Sequence, residues 1–145
     1  MKIRSYHPED QKDLIQLWLD CNLVVPHNNP EKDIQRKLDE NPEWLLIAEI
    51  EGEIVGSCML GYDGHRGWVY YLAVSPSFQR QGIASQLMEY AENELRSVGC
   101  PKINLMVRES NLRVIDFYRS INYQQDPVIT MSKRLVVDKP YNSSN

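Results

Sequence analysis

The sequence predicts a mixed α/β domain, a twisted central sheet with parallel and antiparallel neighbours covered by about four helices. Three observations predict it. Two strand-type runs, Trp44 to Ile50 and Ile54 to Leu60, flank Glu51-Gly52, the spacing of a β-hairpin. The near-continuous apolar and aromatic run Trp68 to Val74 has the character of a buried central strand. After it come a helical stripe (Ile83, Leu87, Tyr90, Ala91, Leu95, Val98) and a further strand-type run, Lys102 to Val107. A strand-helix-strand unit implies a right-handed crossover and a local parallel pair.

The elements follow in order. Lys2 to Ser5 reads as a short first strand, ended by His7-Pro8. Pro8, Glu9 and Asp10 suit the first turn of a helix, whose buried face carries Leu14, Leu17, Trp18 and Cys21. Asn22 to Pro30 is loop-like, and Asn29-Pro30 is an N-cap followed by proline at the first helical position. A second helix runs through Ile34 and Leu38 and ends near Asn41-Pro42. Tyr62 to Gly67 is a polar, glycine-punctuated loop. Gly99 caps the long helix behind the central strand. Val114, Phe117, Tyr118 and Ile121 mark a last helix with Ser110 or Asn111 as its N-cap, and Val128 to Leu135 reads as a final strand. The order is β-α-α-β-β-β-α-β-α-β. One domain over residues 1–137 is expected, with residues 138–145 as a polar, frayed tail.

A chain of 145 residues with net charge −4 fits one self-sufficient core and is a poor match for non-specific nucleic-acid or anionic-membrane binding. Cys21, Cys58 and Cys100 are widely spaced, so neither a disulfide framework nor a metal site is expected. No apolar stretch has the form of a signal peptide or membrane span. A cytoplasmic protein with reduced thiols is the expectation.

The loop after the central strand carries the most chemistry. Gln79-Arg80-Gln81-Gly82-Ile83-Ala84-Ser85 follows a strand and opens an amphipathic helix. The first amides of a helix lack internal partners and lie at its positive end, which suits an anion. Gly82 lets a ligand approach the backbone, Ala84 and Ser85 leave the helix start uncrowded, and Arg80 adds a cation. The same glycine is equally well explained as turn geometry. Neither GxxxxGK[ST] nor GxGxxG is present.

The stretch Leu72 to Met88 resembles motif A of the GNAT superfamily of N-acetyltransferases, a strand, a loop ending in [QR]-x-x-G-x-[GA], and a helix. Gln79, Gly82 and Ala84 occupy its defining positions. Asn111 to Tyr123 is similar to motif B, with Val114 and Asn122 where alanine and glycine are usual. Asn122 can still end the helix, because asparagine tolerates a left-handed backbone. The resemblance extends from Ile3 to Leu135, and it implies a GNAT-like sheet of six to seven strands.

The resemblance implies acetyl transfer from acetyl-CoA to an amine of a small molecule or protein, by direct attack in a ternary complex and without a metal. It places the cofactor's pyrophosphate on the backbone of Gln79, Arg80, Gln81, Gly82, Ile83, Ala84 and Ser85. The pantetheine arm then runs along Leu72, Ala73 and Val74, with Asn111 near it. Tyr118 takes the position of the general acid, protonating the leaving thiolate; by spacing alone it is a packing residue on the helix's apolar stripe. The base is less defined: Asp63 and His65 head the candidates, followed by Glu49, Tyr70 and Glu109, although Asp63 to Gly67 also fits a plain hairpin turn. Trp18, Asn22, His27, Arg66, Tyr70, Tyr71 and Arg108 are the expected acceptor-pocket residues, Arg66 and Arg108 suiting a carboxylate or phosphate. A non-catalytic CoA sensor and a nucleotide-binding α/β module are the competing readings. Monomer and homodimer are both open.

Overall fold

The computed structural model describes residues 1–142. Among them five strands form one sheet in the order β1-β2-β3-β4-β5. They are β1 (Lys2–Ser5), β2 (Leu45–Ile50), β3 (Glu53–Tyr62), β4 (Gly67–Val74) and β5 (Ile103–Leu105). The first three neighbouring pairs are antiparallel, and β4 and β5 are parallel. The β2–β3 hairpin forms because Glu51 and Gly52 both take positive φ, +50° and +79°, the twist that suits a two-residue turn.

Helices cover both faces. On one lie α1 (Gln11–Asp20) and α2 (Pro30–Glu40), on the other α3 (Ile83–Ser97) and α4 (Leu112–Ser120). Asn29 caps α2 through its side chain, which accepts from the amides of Glu31 and Lys32, with Pro30 at the first helical position. Two cores result. Leu14, Ile15, Leu17, Trp18 and Ile34 pack against Leu45 and Ile47 on the α1–α2 face. On the other face Leu87, Met88, Ala91 and Leu95 of α3 pack against Leu46, Val55 and Leu60.

Two features position the site. The first is a bulge in β4 at Tyr71, which takes φ +52° where the register against β3 shifts between Ser57 and Met59. Buried Ser57 fixes it: Trp18 Nε1 donates to Ser57 Oγ at 2.9 Å, and Ser57 Oγ donates to the Tyr71 carbonyl at 2.8 Å. The Tyr71 ring stacks on Trp18 at 3.8 Å between centroids. The second is a split. Pairing between β4 and β5 ends at Val69–Leu105, leaving Tyr70 to Val74 without a neighbour on that side.

The sheet has five strands rather than six to seven. Val128 to Leu135 forms no strand, because no second backbone lies in pairing position beside it; the β5 edge carries no bonds to it. The segment has no regular secondary structure and is largely exposed. Its beginning is held by Lys102 Nζ on Asp126 at 2.8 Å, and its end by Arg134, which donates to the His27 carbonyl and to Asn28 Oδ1. The boundary between domain and frayed tail also moves. Asp138 is 4% exposed and bonded to Arg36 and to the Asn29 amide, while Tyr141 packs at the edge of the α1–α2 core. Residues 143–145 of the expected tail lie outside the described residues.

Candidate active site

At the Val74 end of β4 the chain passes through a short 3-10 turn (Pro76–Phe78) into the loop and α3. Gly82 is the N-cap with φ +81°, and Arg80 is also left-handed at +64°. The first bond inside the helix runs from the Gln86 amide to the Gly82 carbonyl at 3.1 Å. The amides of Ile83, Ala84 and Ser85 therefore have no acceptor within the helix. A Cβ on Gly82 would meet nothing closer than Gln86 Nε2 at 4.0 Å, so the space above the loop is open. Gln79 Nε2 donates to the Val74 carbonyl at 3.1 Å, closing the loop back onto the end of β4. A phosphate-sized anion fits this arrangement: free amides and the positive end of a helix of 15 residues, with an arginine beside them.

On the far face Tyr118 lies near the end of α4, 8% exposed. Its ring makes edge contacts with Phe117 and Tyr123, at 5.1 and 5.5 Å between centroids. Its hydroxyl lacks a hydrogen-bond partner among the described residues and borders a groove of about 1160 Å³ beside β5. Burial, and secondarily the Cys58 thiol nearby, raise its pKa above the ordinary phenol value, so the hydroxyl keeps its proton at neutral pH. Asn111 is the N-cap of α4, its Oδ1 accepting from the Val114 amide at 3.3 Å.

On the α1–α2 face a second hollow of about 590 Å³ opens at the split. His27, Tyr70, Tyr71 and Arg108 line it together. Trp18 is fully buried beneath Tyr71 and supports the wall without lining it. Asn22 ends α1 in a left-handed turn at φ +58° and is not among the lining residues. Sequence reasoning misses the polar face of α2. Asp33, Arg36, Lys37 and Glu40 line the same hollow. The Tyr71 hydroxyl donates to Asp33 Oδ2 at 2.6 Å; burial first, then this carboxylate, hold the phenol well above its usual pKa. Lys37 is 7% exposed, and burial lowers its pKa.

Asp63, His65 and Arg66 are not brought to the site. They form the turn between β3 and β4, at the Gly67 end of a strand whose Val74 end leads to the Gln79 to Ser85 loop. None of the three lines either of the two hollows. Asp63 Oδ1 accepts from the amides of His65 and Arg66, both at 2.8 Å, and these bonds, that of Arg66 first, lower its pKa. A carboxylate committed to its own turn is a cap rather than a base. The Arg66 guanidinium donates to the neighbouring His65 carbonyl. Glu49 is held by Arg4 Nε at 3.2 Å.

Residues 11–123 match the model of the acetyltransferase (GNAT) family. A protein from Pectobacterium atrosepticum named acetyltransferase is 50% identical over 141 residues, 97% of this chain and 100% of the relative. An uncharacterized N-acetyltransferase from Yersinia pestis is 48% identical with the same coverage. In fold, the chain is similar to AAC(6')-Iy, solved in complex with the bisubstrate analog CoA-S-monomethyl-acetylneamine. The TM-score is 0.72 at 18% identity, over 92% of this chain and 97% of that one. A family match spanning most of the chain, on a sheet split beside a helix start with free amides, identifies this protein as a member of the GNAT acetyltransferase family.

Proposed function

We propose that the protein is an N-acetyltransferase that uses acetyl-CoA and an amine acceptor, brought together at the split between β4 and β5. The observation that carries the reading is the continuity of the unpaired edge Tyr70 to Val74 with the free amides of Ile83, Ala84 and Ser85. An extended arm with amide groups pairs with the first as an added strand does, and a pyrophosphate suits the second. Bound there, acetyl-CoA supplies an activated acyl group as a thioester.

The chain's own residues do the rest. Gln79, Arg80, Gln81 and Gly82 through Ser85 hold the anion, Leu72, Ala73 and Val74 offer backbone groups to the arm, and Asn111 keeps α4 in register beside it. Tyr118 Oη, protonated and without an internal acceptor, holds the proton that a departing thiolate needs. The acceptor hollow has Asp33 and Glu40 together with Arg36, Lys37 and Arg108 on its wall. Such mixed charge suits an acceptor bearing both a cationic amine and an anionic group. Asp63 and His65 line neither hollow, and the amine's proton passes to bulk solvent through the open acceptor hollow.

Calorimetric titration with acetyl-CoA, with ATP as control, tests the reading. One saturable site for acetyl-CoA and none for ATP is expected, followed by turnover with a primary amine. Binding without turnover on any amine replaces the enzyme with a CoA sensor, and absence of CoA binding by the folded chain overturns the cofactor assignment.

A further inference from the structure

The hollow on the α1–α2 face has five charged side chains on its wall, Asp33, Arg36, Lys37, Glu40 and Arg108. Two of them are engaged within the protein itself. The Asp33 carboxylate accepts from the Tyr71 hydroxyl at 2.6 Å and from Arg36 at 3.0 Å. The Arg36 guanidinium also donates to both oxygens of Asp138, at 2.6 and 3.0 Å. Lys37, Glu40 and Arg108 remain, and none of their side chains makes a hydrogen bond or ion pair among the described residues.

Lys37 departs furthest from what a helix lysine ordinarily does. It stands in the last turn of α2, where an ammonium normally reaches into water, yet it is buried. An ammonium held there without a counter-ion is unfavourable. Glu40 and Glu43 favour its charge from beyond ion-pair contact, and burial outweighs both in lowering its pKa. No side-chain nitrogen lacking a partner is sealed from solvent among the described residues, so Lys37 Nζ keeps an opening, and Lys37 is on the wall of the hollow. The charge adds nothing to the packing. A ligand that brings the missing counter-ion gives it a role. Arg108 reaches the same hollow from the chain just beyond β5, with a guanidinium suited to a carboxylate.

We propose that the acceptor is an amino carboxylate, a free amino acid with an apolar side chain, whose carboxylate is held by Lys37 and Arg108. The inference rests on the acetyltransferase reading and names its substrate class. The uncommitted charges, two positive and one negative, complement a zwitterion, with Glu40 left for the amine. Counting Asp138 behind Arg36, the charges about the hollow are three of each sign, and a zwitterion preserves that balance. An amino phosphate, whose phosphate carries about −1.5 to −2, does not. Leu23, Val25 and Met59 supply the apolar part of the wall, and about 590 Å³ falls within the roughly 300–1,000 Å³ of small-molecule sites. The carboxylate takes no part in the transfer. The amine's C–N bond forms and the thioester's C–S bond breaks, one proton leaving nitrogen and one reaching sulfur, while the anion fixes where the amine stands.

Release of free thiol from acetyl-CoA is measured with the standard amino acids, each beside its own carboxamide, and with O-phosphoethanolamine as an amino phosphate. At least one apolar amino acid is expected to exceed its carboxamide in kcat/KM by about tenfold or more. Lys37→Gln should collapse that ratio toward one through the acid's KM, with acetyl-CoA Kd near wild type. Lys37→Arg keeps the charge and should retain part of the preference. Carboxamides acetylated as readily as the acids overturn the proposal. So does a folded Lys37→Gln protein that keeps the ratio, or a preference for O-phosphoethanolamine over every amino acid. If no amine is acetylated, the acetyltransferase reading falls, and calorimetry decides the anion site by itself. N-acetyl amino acids are titrated beside their carboxamides: binding of the acids that is lost in Lys37→Gln upholds the site, and absence of such binding overturns it.

Discussion

Asp138 and Arg36 join the C-terminal segment to the wall of the hollow on the α1–α2 face by two hydrogen bonds, of 2.6 and 3.0 Å. Arg36 also donates to Asp33 at 3.0 Å, and Asp33 receives the Tyr71 hydroxyl. A residue remote in sequence is thereby connected to the β4 bulge. Hydrogen bonds from Arg36 and the Asn29 amide hold the Asp138 carboxylate below its ordinary pKa. A carboxylate whose folded pKa is depressed contributes stability above its unfolded value, near ~3.9, and loses it as pH falls below that toward the folded value. Asp138→Asn should accordingly lower the melting temperature at pH 7, and the gap from wild type should narrow below about pH 4. Thermal melts of both proteins between neutral pH and pH 3 check this; a gap that is constant with pH means the carboxylate's charge is not what the tie uses.

Gly82 is required first for its backbone. At φ +81° any L-residue carries a penalty of about 1–2 kcal/mol, although its Cβ has room. Gly82→Ala should thus destabilise by that amount while changing acetyl-CoA affinity little. Gly82→Trp should add steric occupation of the open space above the free amides and weaken binding at least tenfold. Denaturant melts and calorimetry separate the two effects. Unchanged affinity in a folded Gly82→Trp protein removes the pyrophosphate from this loop.

Tyr118→Phe tests the proton donor. Removing a general acid lowers turnover by a factor of about 100 or more, whereas the ring packing against Phe117 and Tyr123 is retained by phenylalanine. Acetyl-CoA affinity and melting temperature should therefore stay near wild type while the acetylation rate falls. Full retention of turnover assigns Tyr118 to packing and the proton to solvent.

The parts of this molecule legible in the sequence are those whose signal is local. Glu51-Gly52 specifies a turn by backbone preference, Asn29-Pro30 and Asn111 specify helix starts, and the step from Val74 to Ile83 carries strand, loop and helix in one stretch. What was not legible depends on partners distant in the chain. The sequence assigns the charges of α2 no role, and only the packing of α2 against the sheet brings Asp33, Arg36, Lys37 and Glu40 into one hollow with Tyr71 and Arg108. Asp63 and His65 have the right chemistry for a base, but they line neither hollow, and residue type says nothing about which end of a strand a loop occupies. Val128 to Leu135 carries strand-type residues, yet a strand exists only when a second backbone lies beside it, and Asp138 looks like tail until Arg36 is placed against it.

Ser57 makes a final test of how the β4 bulge is held. Its hydroxyl is fully buried and serves two groups, accepting from Trp18 Nε1 and donating to the Tyr71 carbonyl. Ser57→Ala removes little volume but leaves a buried indole N–H and a carbonyl without that partner, each costing about 1–3 kcal/mol. Tyr71 holds φ +52°, a conformation that persists in a bulky residue only while its surroundings impose it. The expected result is a loss of about 2 kcal/mol or more by denaturant titration, larger than Ser-to-Ala changes at the surface give. Acceptor KM should rise more than acetyl-CoA Kd, because Tyr71 lines the hollow proposed for the acceptor while the loop proposed for the pyrophosphate lies beyond Val74. Ser57→Thr retains the hydroxyl and should recover the Tyr71 position if the added methyl is accommodated beside Trp18. Equal loss of cofactor and acceptor binding in Ser57→Ala would mean that the bulge supports the whole of β4 rather than the acceptor wall.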